Sequence, residues 1–481
     1  MKRYIAILIL MLMLPTMAMS QVRTSYFMEG STFRTDMNPA LAPTRGYINF
    51  PVLGGVSLGL NNNFLSIDNM FYPTKDGLVT FLHKSVDRGD FLKRLPRNNA
   101  LDLSLSEQII GFGAHTKRFF WSFGLNLRAN ADVNIPKEFF SLVTDLGQGT
   151  YNMDKMHVGL NAYMEAYLGA SIPIKDIATV GFRVKGLFGF ANLAFNVNNM
   201  GAVVSDDEVS ARLSGELRGS CPMINTSLPV GQPVNMQELF NPNFSLNSID
   251  FKQFGNGGIA VDLGAEVRLV DDHLRLSAAI TDLGFISWNR AATVTGKMGT
   301  SFTYKGYDFQ KEEVIANYEN FEFVNAGTPK SYLQRLNCSL NVGAEYAILR
   351  NRISFGVLSH TKFCQTFAYS ELTASVNFKP LNWITATLSH TFLNHNQPGI
   401  FGFALNLHPT GFNFFIGADF IDLKFGSATL PNDGGRLLLP VRQRSVNLNM
   451  GLGFSLGRAK YTKAYKDDVA AGRVKVKKGK K

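Results

Sequence analysis

Sixteen stretches of this chain alternate apolar residues with polar or very small ones at a period of two. Successive side chains of a strand point to opposite faces, so this period marks strands with one apolar and one polar side. Near the C-terminus Val446, Leu448, Met450, Leu452, Phe454 and Leu456 share one face, and Asn447, Asn449, Gly451, Gly453 and Ser455 share the other. Trp121–Val133 repeats the pattern with Asn126, Arg128, Asn130 and Asp132 on its polar side. Val158–Ile172 sets Asn161, Tyr163, Glu165, Tyr167 and Ser171 there, and Ile259–Leu269 sets Asp262, Glu266 and Arg268. The other stretches are Tyr47–Leu60, Leu101–Gly113, Thr179–Val197, Val203–Arg218, Leu274–Trp288, Ala292–Tyr304, Cys338–Ile348, Ile353–Phe363, Thr366–Lys379, Ile384–Phe392, Phe401–His408 and Phe412–Phe420. Many run 10 to 20 residues, longer than the roughly five or six of ordinary strands and enough for the about 9–11 that cross a bilayer at a tilt.

The fold this predicts is all-β: a transmembrane antiparallel β-barrel with apolar faces toward lipid and polar faces toward the lumen. Tyr47–Leu60 is open to a second reading as part of an internal plug, and two weak hairpin arms to merging. The expected wall therefore has about 14 strands, within a range of 12 to 16. Arg128, Asp132, Glu165, Arg212, Glu216, Asp262, Glu266 and Arg268 are expected to form a polar network in the lumen, with Arg183, Lys185, Arg275, Glu345 and Asp419 also facing inward. In Thr179–Val197 the alternation fails across Gly186–Asn192. A slip of one residue predicts a bulge, and Gly186 and Gly189 mark the place where the wall could part sideways. The long connections Asn61–Asn99, Gly219–Gly257, Lys305–Asn337 and Gly426–Arg444 are read as external loops, and Asp271-Asp272-His273 and Arg350-Asn351 as short periplasmic turns. Lys137–Gly147 carries Phe139, Phe140, Leu142, Val143 and Leu146 at helical spacing, predicting a short helix folded inward or lying at the interface.

Composition agrees. The chain has 39 Phe and 44 Gly but 3 Trp, and no second apolar run reaches the length of a membrane helix. Met1–Ser20 reads as a secretory signal. Lys2 and Arg3 precede the apolar Tyr4–Leu14, and small residues at Ala18 and Ser20 predict cleavage before Gln21. The net charge of +11 is concentrated at the end. Residues 458–481 hold ten Lys and Arg against Asp467 and Asp468, so they read as a disordered basic tail and the body is close to neutral. That distribution excludes a nucleic-acid footprint. Cys221, Cys338 and Cys364 are odd in number and irregularly spaced, which fits neither a disulfide framework nor a metal motif. The identical tetrapeptides Leu358-Ser359-His360-Thr361 and Leu388-Ser389-His390-Thr391, followed by His395, are the nearest approach to catalytic or metal-binding chemistry. Adjacent Ser and His on a strand face opposite ways, so no enzyme, metal or cofactor is expected.

Asn38-Pro39-Ala40, inside Met28–Tyr47, resembles the start of the FadL-type outer-membrane barrel superfamily. That superfamily includes long-chain fatty-acid and hydrocarbon transporters and the PorV-like barrels of the type IX secretion system. Asp262-Leu263-Gly264 and Asp282-Leu283-Gly284 in Val261–Trp288 are similar to the PorV-like branch and to uncharacterised predicted outer-membrane proteins related to it. The resemblance implies 14 strands and an N-terminal plug. The expected organisation is a signal peptide (1–20), a plug segment (21–46), the barrel (47–457) and a periplasmic basic tail (458–481), with both termini periplasmic in the cell outer membrane. The expected function is FadL-like binding or transport of a hydrophobic small molecule, with Asn38, Pro39, Phe139, Phe140 and Leu142 as ligand-binding residues. The alternative is a non-transporting barrel that docks envelope or secretion proteins. The expected partners are outer-membrane lipid, that small molecule and those proteins.

Overall fold

The computed structural model describes residues 23–457 except 75–76, 84, 145–148, 206–208, 222–223, 240–255, 271–272, 291–292, 309–312, 319–321, 328–330, 350, 394–398, 422–424, 430–435 and 441–444. The signal segment and the basic tail lie outside the described residues, as does part of Gly426–Arg444.

Among the described residues, fourteen strands close an antiparallel ring. The first, β1, is in two pieces, Gly46–Asn49 and Val56–Asn62. Then come β2 (Asn98–His115), β3 (Phe120–Pro136), β4 (His157–Ile174), β5 (Ala178–Val204), β6 (Gly257–Leu269) and β7 (Leu274–Trp288). The ring continues through β8 (Cys338–Ile348), β9 (Ile353–Phe363), β10 (Ala368–Leu381), β11 (Ile384–Leu393), β12 (Ile400–Leu407), β13 (Asn413–Ile421) and β14 (Ser445–Leu456). Both pieces of β1 pair with β14, which closes the ring.

Burial follows the alternation. On β14 Asn447 and Asn449 are buried toward the lumen, whereas Met450 and Phe454 are exposed. Around the ring Leu168, Phe188, Ile259, Leu340, Phe355, Val376, Leu388 and Phe403 are exposed in the same way. A continuous apolar outer belt over a polar interior is the surface of a membrane-spanning barrel.

Val203–Arg218 and Ala292–Tyr304 also alternate, but they do not belong to the ring. Val204 ends β5. The outer strands Val209–Ser220 and Thr293–Asp308 then pair with each other, and Val209–Ser220 pairs with the upper half of β5. Sixteen alternating stretches thus give fourteen wall strands and two that extend the sheet beyond the ring. The expected plug reading of Tyr47–Leu60 gives way to a wall strand, because its residues pair with β14 along most of their length.

Short turns 116–119, 175–177 and 408–412 gather at one end of the barrel, together with the start of β1 and the end of β14. The long connections gather at the other. The helix Lys137–Thr144 stands at the long-loop end, after β3.

The outer belt predicts a depth-dependent cost for charge. Met450→Arg, at the middle of β14, should cost about 2–4 kcal/mol, and Leu456→Arg, at the short-turn end, about 0–1 kcal/mol. Reversible unfolding in lipid vesicles measures both, and equal costs would mean that the belt does not sit across the bilayer as described.

Candidate functional site

Inward positions of neighbouring strands bring the charged residues together. Lys185 on β5 lies 2.9 Å from Asp262 on β6, 2.5 Å from Asp282 on β7 and 3.5 Å from Glu165 on β4. Arg128 on β3 reaches Glu165 at 3.0 Å and Asp282 at 3.9 Å. A bulge turns Asp282 inward. Asp262 stands against two residues of β7, and Asp282 takes a positive φ of 59° while its backbone N–H donates to Asp262 Oδ1 at 2.7 Å. Extra residues in one strand re-aim side chains in this way. The two Asp-Leu-Gly segments noted in the sequence therefore converge on one lysine. The sequence reading named Asp282 in that segment but not among the inward residues, although the change of apolar phase from Leu276, Ala278 and Ile280 to Leu283 and Phe285 carried the signal.

The segment 23–45 lies inside the ring and is held by the same chemistry. Arg183 on β5 lies 2.8 Å from Asp36, donates to Thr35 O and stacks 4.1 Å over the ring of Tyr167. Arg23 pairs with Glu371 at 2.7 Å, and its backbone N–H donates to Asp419. Asn341 donates to Met37 O. Glu29 pairs with Arg275, lies 3.3 Å from Lys379 and accepts from Asn351. Burial opposes the ionisation of Glu29, yet Lys379 and Arg275 outweigh it and hold the carboxyl well below the usual carboxylate range. Arg23, the first described residue, contacts the long-loop halves of β10 and β13, while Glu29 lies at the short-turn end. The segment therefore runs along the lumen before it reaches β1.

Not every expected site residue joins these groups. Asn38 is fully buried, with Nδ2 donating to Tyr26 Oη and Oδ1 accepting from Ala40 N–H, and Pro39 packs beside Gly181 near the short-turn end. Phe139 and Phe140 stand at the opposite end, where Phe140 clusters with Phe64, Phe91 and Leu95. Leu142 is half-buried and outside that cluster. The five do not share one site. Arg212 and Glu216 are a correction: both lie on the outer strand Val209–Ser220, Arg212 is exposed, and Glu216 pairs with the half-exposed Arg218. They alternate like wall residues because their strand is also a sheet member, but it is not in the ring. Asp132 pairs with His157 at 3.0 Å, and Glu266 with Arg268 at 2.8 Å, each apart from the central group. His360 faces the lumen and bonds Asn341, whereas His390 packs outward between Phe392 and Phe401, so the twin tetrapeptides do not converge.

The slip in β5 is a bulge at Phe190, where β5 leaves β6 and takes the outer strand Val209–Ser220 as partner. Gly186 faces outward. Gly189 faces inward against Trp288, and its backbone bonds Asn256 through both N–H and O. Tyr163, Leu187, Ile286 and Trp288 pack an apolar cluster behind the bulge. The wall is filled at that place.

The ladder between β1 and β2 is interrupted. Ladder rungs join Asn49 to Gly111 below and Asn62 to Leu101 above, and among the described residues none lies between them. Within the interval the Gln108 N–H donates to Gly55 O at 2.7 Å. Phe50–Gly55 interrupts β1 here and bulges outward, with Val52 and Leu53 half-exposed and the Phe50 ring tilted against Phe454 at 4.7 Å. Directly inside lies a small cavity of about 10 Å³, the space of about one water molecule. Gly55 and Ser57 of β1, Ser106 and Gln108 of β2, Asn126, Tyr167 and Tyr47 line it, and Thr32, Phe33, Thr35 and Asp36 close it from within. Unladdered backbone is tolerated at membrane depth where it borders a polar, hydrated space.

Glu29 gives a test of the internal segment. Glu29→Gln should lose about 1.5–3 kcal/mol at neutral pH, the scale of hydrogen bonds to charged groups. Because the folded carboxyl titrates below its unfolded value, this stability is present above about pH 4.3 and is lost as pH falls below it. The gap between variant and wild type should close on acidification; a gap independent of pH would mean that the carboxylate does not hold the segment.

No curated protein matches the chain. Among solved structures, the toluene transporter TbuX of Ralstonia pickettii aligns at 9% identity and a TM-score of 0.41, over 92% of this chain and 99% of that one. A FadL homologue of Pseudomonas aeruginosa aligns at 10% identity and 0.39, over 91% and 96%. A mutant of the monoaromatic hydrocarbon channel TodX aligns at 11% identity and 0.38, over 88% and 94%. The profile of a family of unknown function, DUF5723, matches residues 39–419, and the chain belongs to that family.

Proposed function

We propose that this outer-membrane barrel passes a hydrophobic small molecule between the outside and the lumen through its wall, at the seam between β1 and β2. The observation that carries this reading is the unladdered interval between Asn49–Gly111 and Asn62–Leu101 with a cavity behind it. The internal segment is tied to β5, β7, β8, β10 and β13, and so it acts as a plug that favours a sideways route over an axial one. The long-loop end faces outward and the end of β14 faces the periplasm, as short turns and long loops sort in such barrels. The bulge at Phe190, filled by Trp288, serves as structure.

A second reading, a barrel that docks envelope or secretion proteins, draws on the sheet that Val209–Ser220 and Thr293–Asp308 raise beyond the ring. Crosslinking in intact outer membranes, with and without those two strands, separates it from transport.

A staple tests the main reading. A Cβ built on Gly55 lies 3.3 Å from Gln108 Cβ, close to the about 3.5–4.5 Å of a disulfide. Gly55→Cys/Gln108→Cys should take up dodecyl probes at least about tenfold more slowly when oxidised than when reduced. Equal uptake in the two states would remove the seam as the route.

A further inference from the structure

The cavity behind the seam is polar, and its charge is unbalanced. Its wall includes Asp36, and Asn126 ties it to Glu165 through a 3.0 Å bond from Nδ2. Asp36, Glu165, Asp262 and Asp282 face Arg128, Arg183 and Lys185, so the group carries one more formal negative charge than positive. Asn126 is 2% exposed, and its Oδ1 has no hydrogen-bond partner among the described residues. A buried acceptor left unmatched costs free energy until a donor reaches it. On the outer face of the same interval stands Glu107, between the inward Ser106 and Gln108 and paired in register with Leu127. A carboxylate on the lipid side of a barrel strand is rare, and an ionisable residue within a membrane region points to function.

Acceptors and excess negative charge inside, a carboxylate at the mouth and apolar Phe50, Val52 and Leu53 beside it describe one kind of guest. We propose, resting on the lateral route above, that the cavity receives the ammonium head of a primary alkyl amine. Its N–H groups reach Asn126 Oδ1 and the Asp36 side, while the alkyl chain leaves through the seam toward lipid. A head needing donors, such as a carboxylate, meets Asp36 and Glu107 instead and is refused. An uncharged alkanol satisfies the acceptor but not the charge, and binds more weakly.

Full-length protein in dodecylmaltoside with tritiated dodecylamine tests this, with dodecanol, dodecanoate and dodecane as competitors. Dodecylamine should bind saturably, dodecanol should compete about tenfold less well, and dodecanoate and dodecane should not compete. Ser106→Phe, which fills the cavity from β2, should reduce amine binding at least tenfold, and Glu107→Gln should narrow the preference over dodecanoate. Heat-modifiable gel mobility reports folding, and Ser57→Leu replaces Ser106→Phe should the latter not fold. Equal competition by dodecanoate or dodecane, or amine binding unchanged in the filled variant, overturns the head-group assignment. Absent amine binding overturns it too. The disulfide staple separates the two ideas: if oxidation still slows uptake the lateral route stands without this guest, and if it does not both fall.

Discussion

A ring of fourteen strands encloses more space than its own inward side chains fill, and in a membrane that space cannot be left with unpaired charge. Everything inside this barrel answers that constraint. The chain turns its own residues 23–45 into the lumen and ties them by ion pairs through Arg23, Glu29 and Asp36 to strands on several sides. Pairs of this kind add little net stability over apolar packing, yet breaking one strands its partner in a low-dielectric interior. They fix where the segment lies more than they strengthen the fold. Lys185, shared by Glu165, Asp262 and Asp282, does the same for the wall, since it links β4, β5, β6 and β7 at one height.

The sequence displayed the barrel because one physical rule, alternation across a strand, governs most of its residues. It displayed the bulge at Phe190 for the same reason, as one inserted residue reverses the phase. The break in β1 stayed hidden. Phe50–Gly55 is six residues long, and an even insertion leaves Tyr47, Asn49, Ser57 and Asn61 all facing inward. Its own residues are apolar, so they resemble a lipid-facing strand. Period alone also could not tell ring strands from the outer pair, since Val209–Ser220 and Thr293–Asp308 alternate for the sake of each other. Arg212 and Glu216 were placed in the lumen on that ground. Which inward charges meet depends on register between strands far apart in sequence, and only the strands' pairing brings Asp282 to Lys185 or Asp36 to Arg183.

The seam and the cavity explain one another. Backbone groups without ladder partners are costly next to hydrocarbon, and they persist where polar space lies behind them. Gly55, Ser57, Ser106 and Gln108 lie both between the two rungs and in the cavity wall, and the Gln108 N–H to Gly55 O bond ties one end of that interval. The interrupted ladder borders the small cavity, whereas at the Phe190 bulge Trp288 and Asn256 fill the wall.

Backbone amide exchange along β2 in lipid nanodiscs bears on this most directly. The Gln108 N–H points toward β1, and directions alternate along a strand, so the amides of Ser104 and Ser106 face the seam and those of Leu103, Leu105 and Glu107 face β3. An unlaced seam predicts fast exchange at Ser104 and Ser106, with Leu103, Leu105 and Glu107 protected as core ladders are. Equal protection at all five positions would show a closed wall and contradict a route through it.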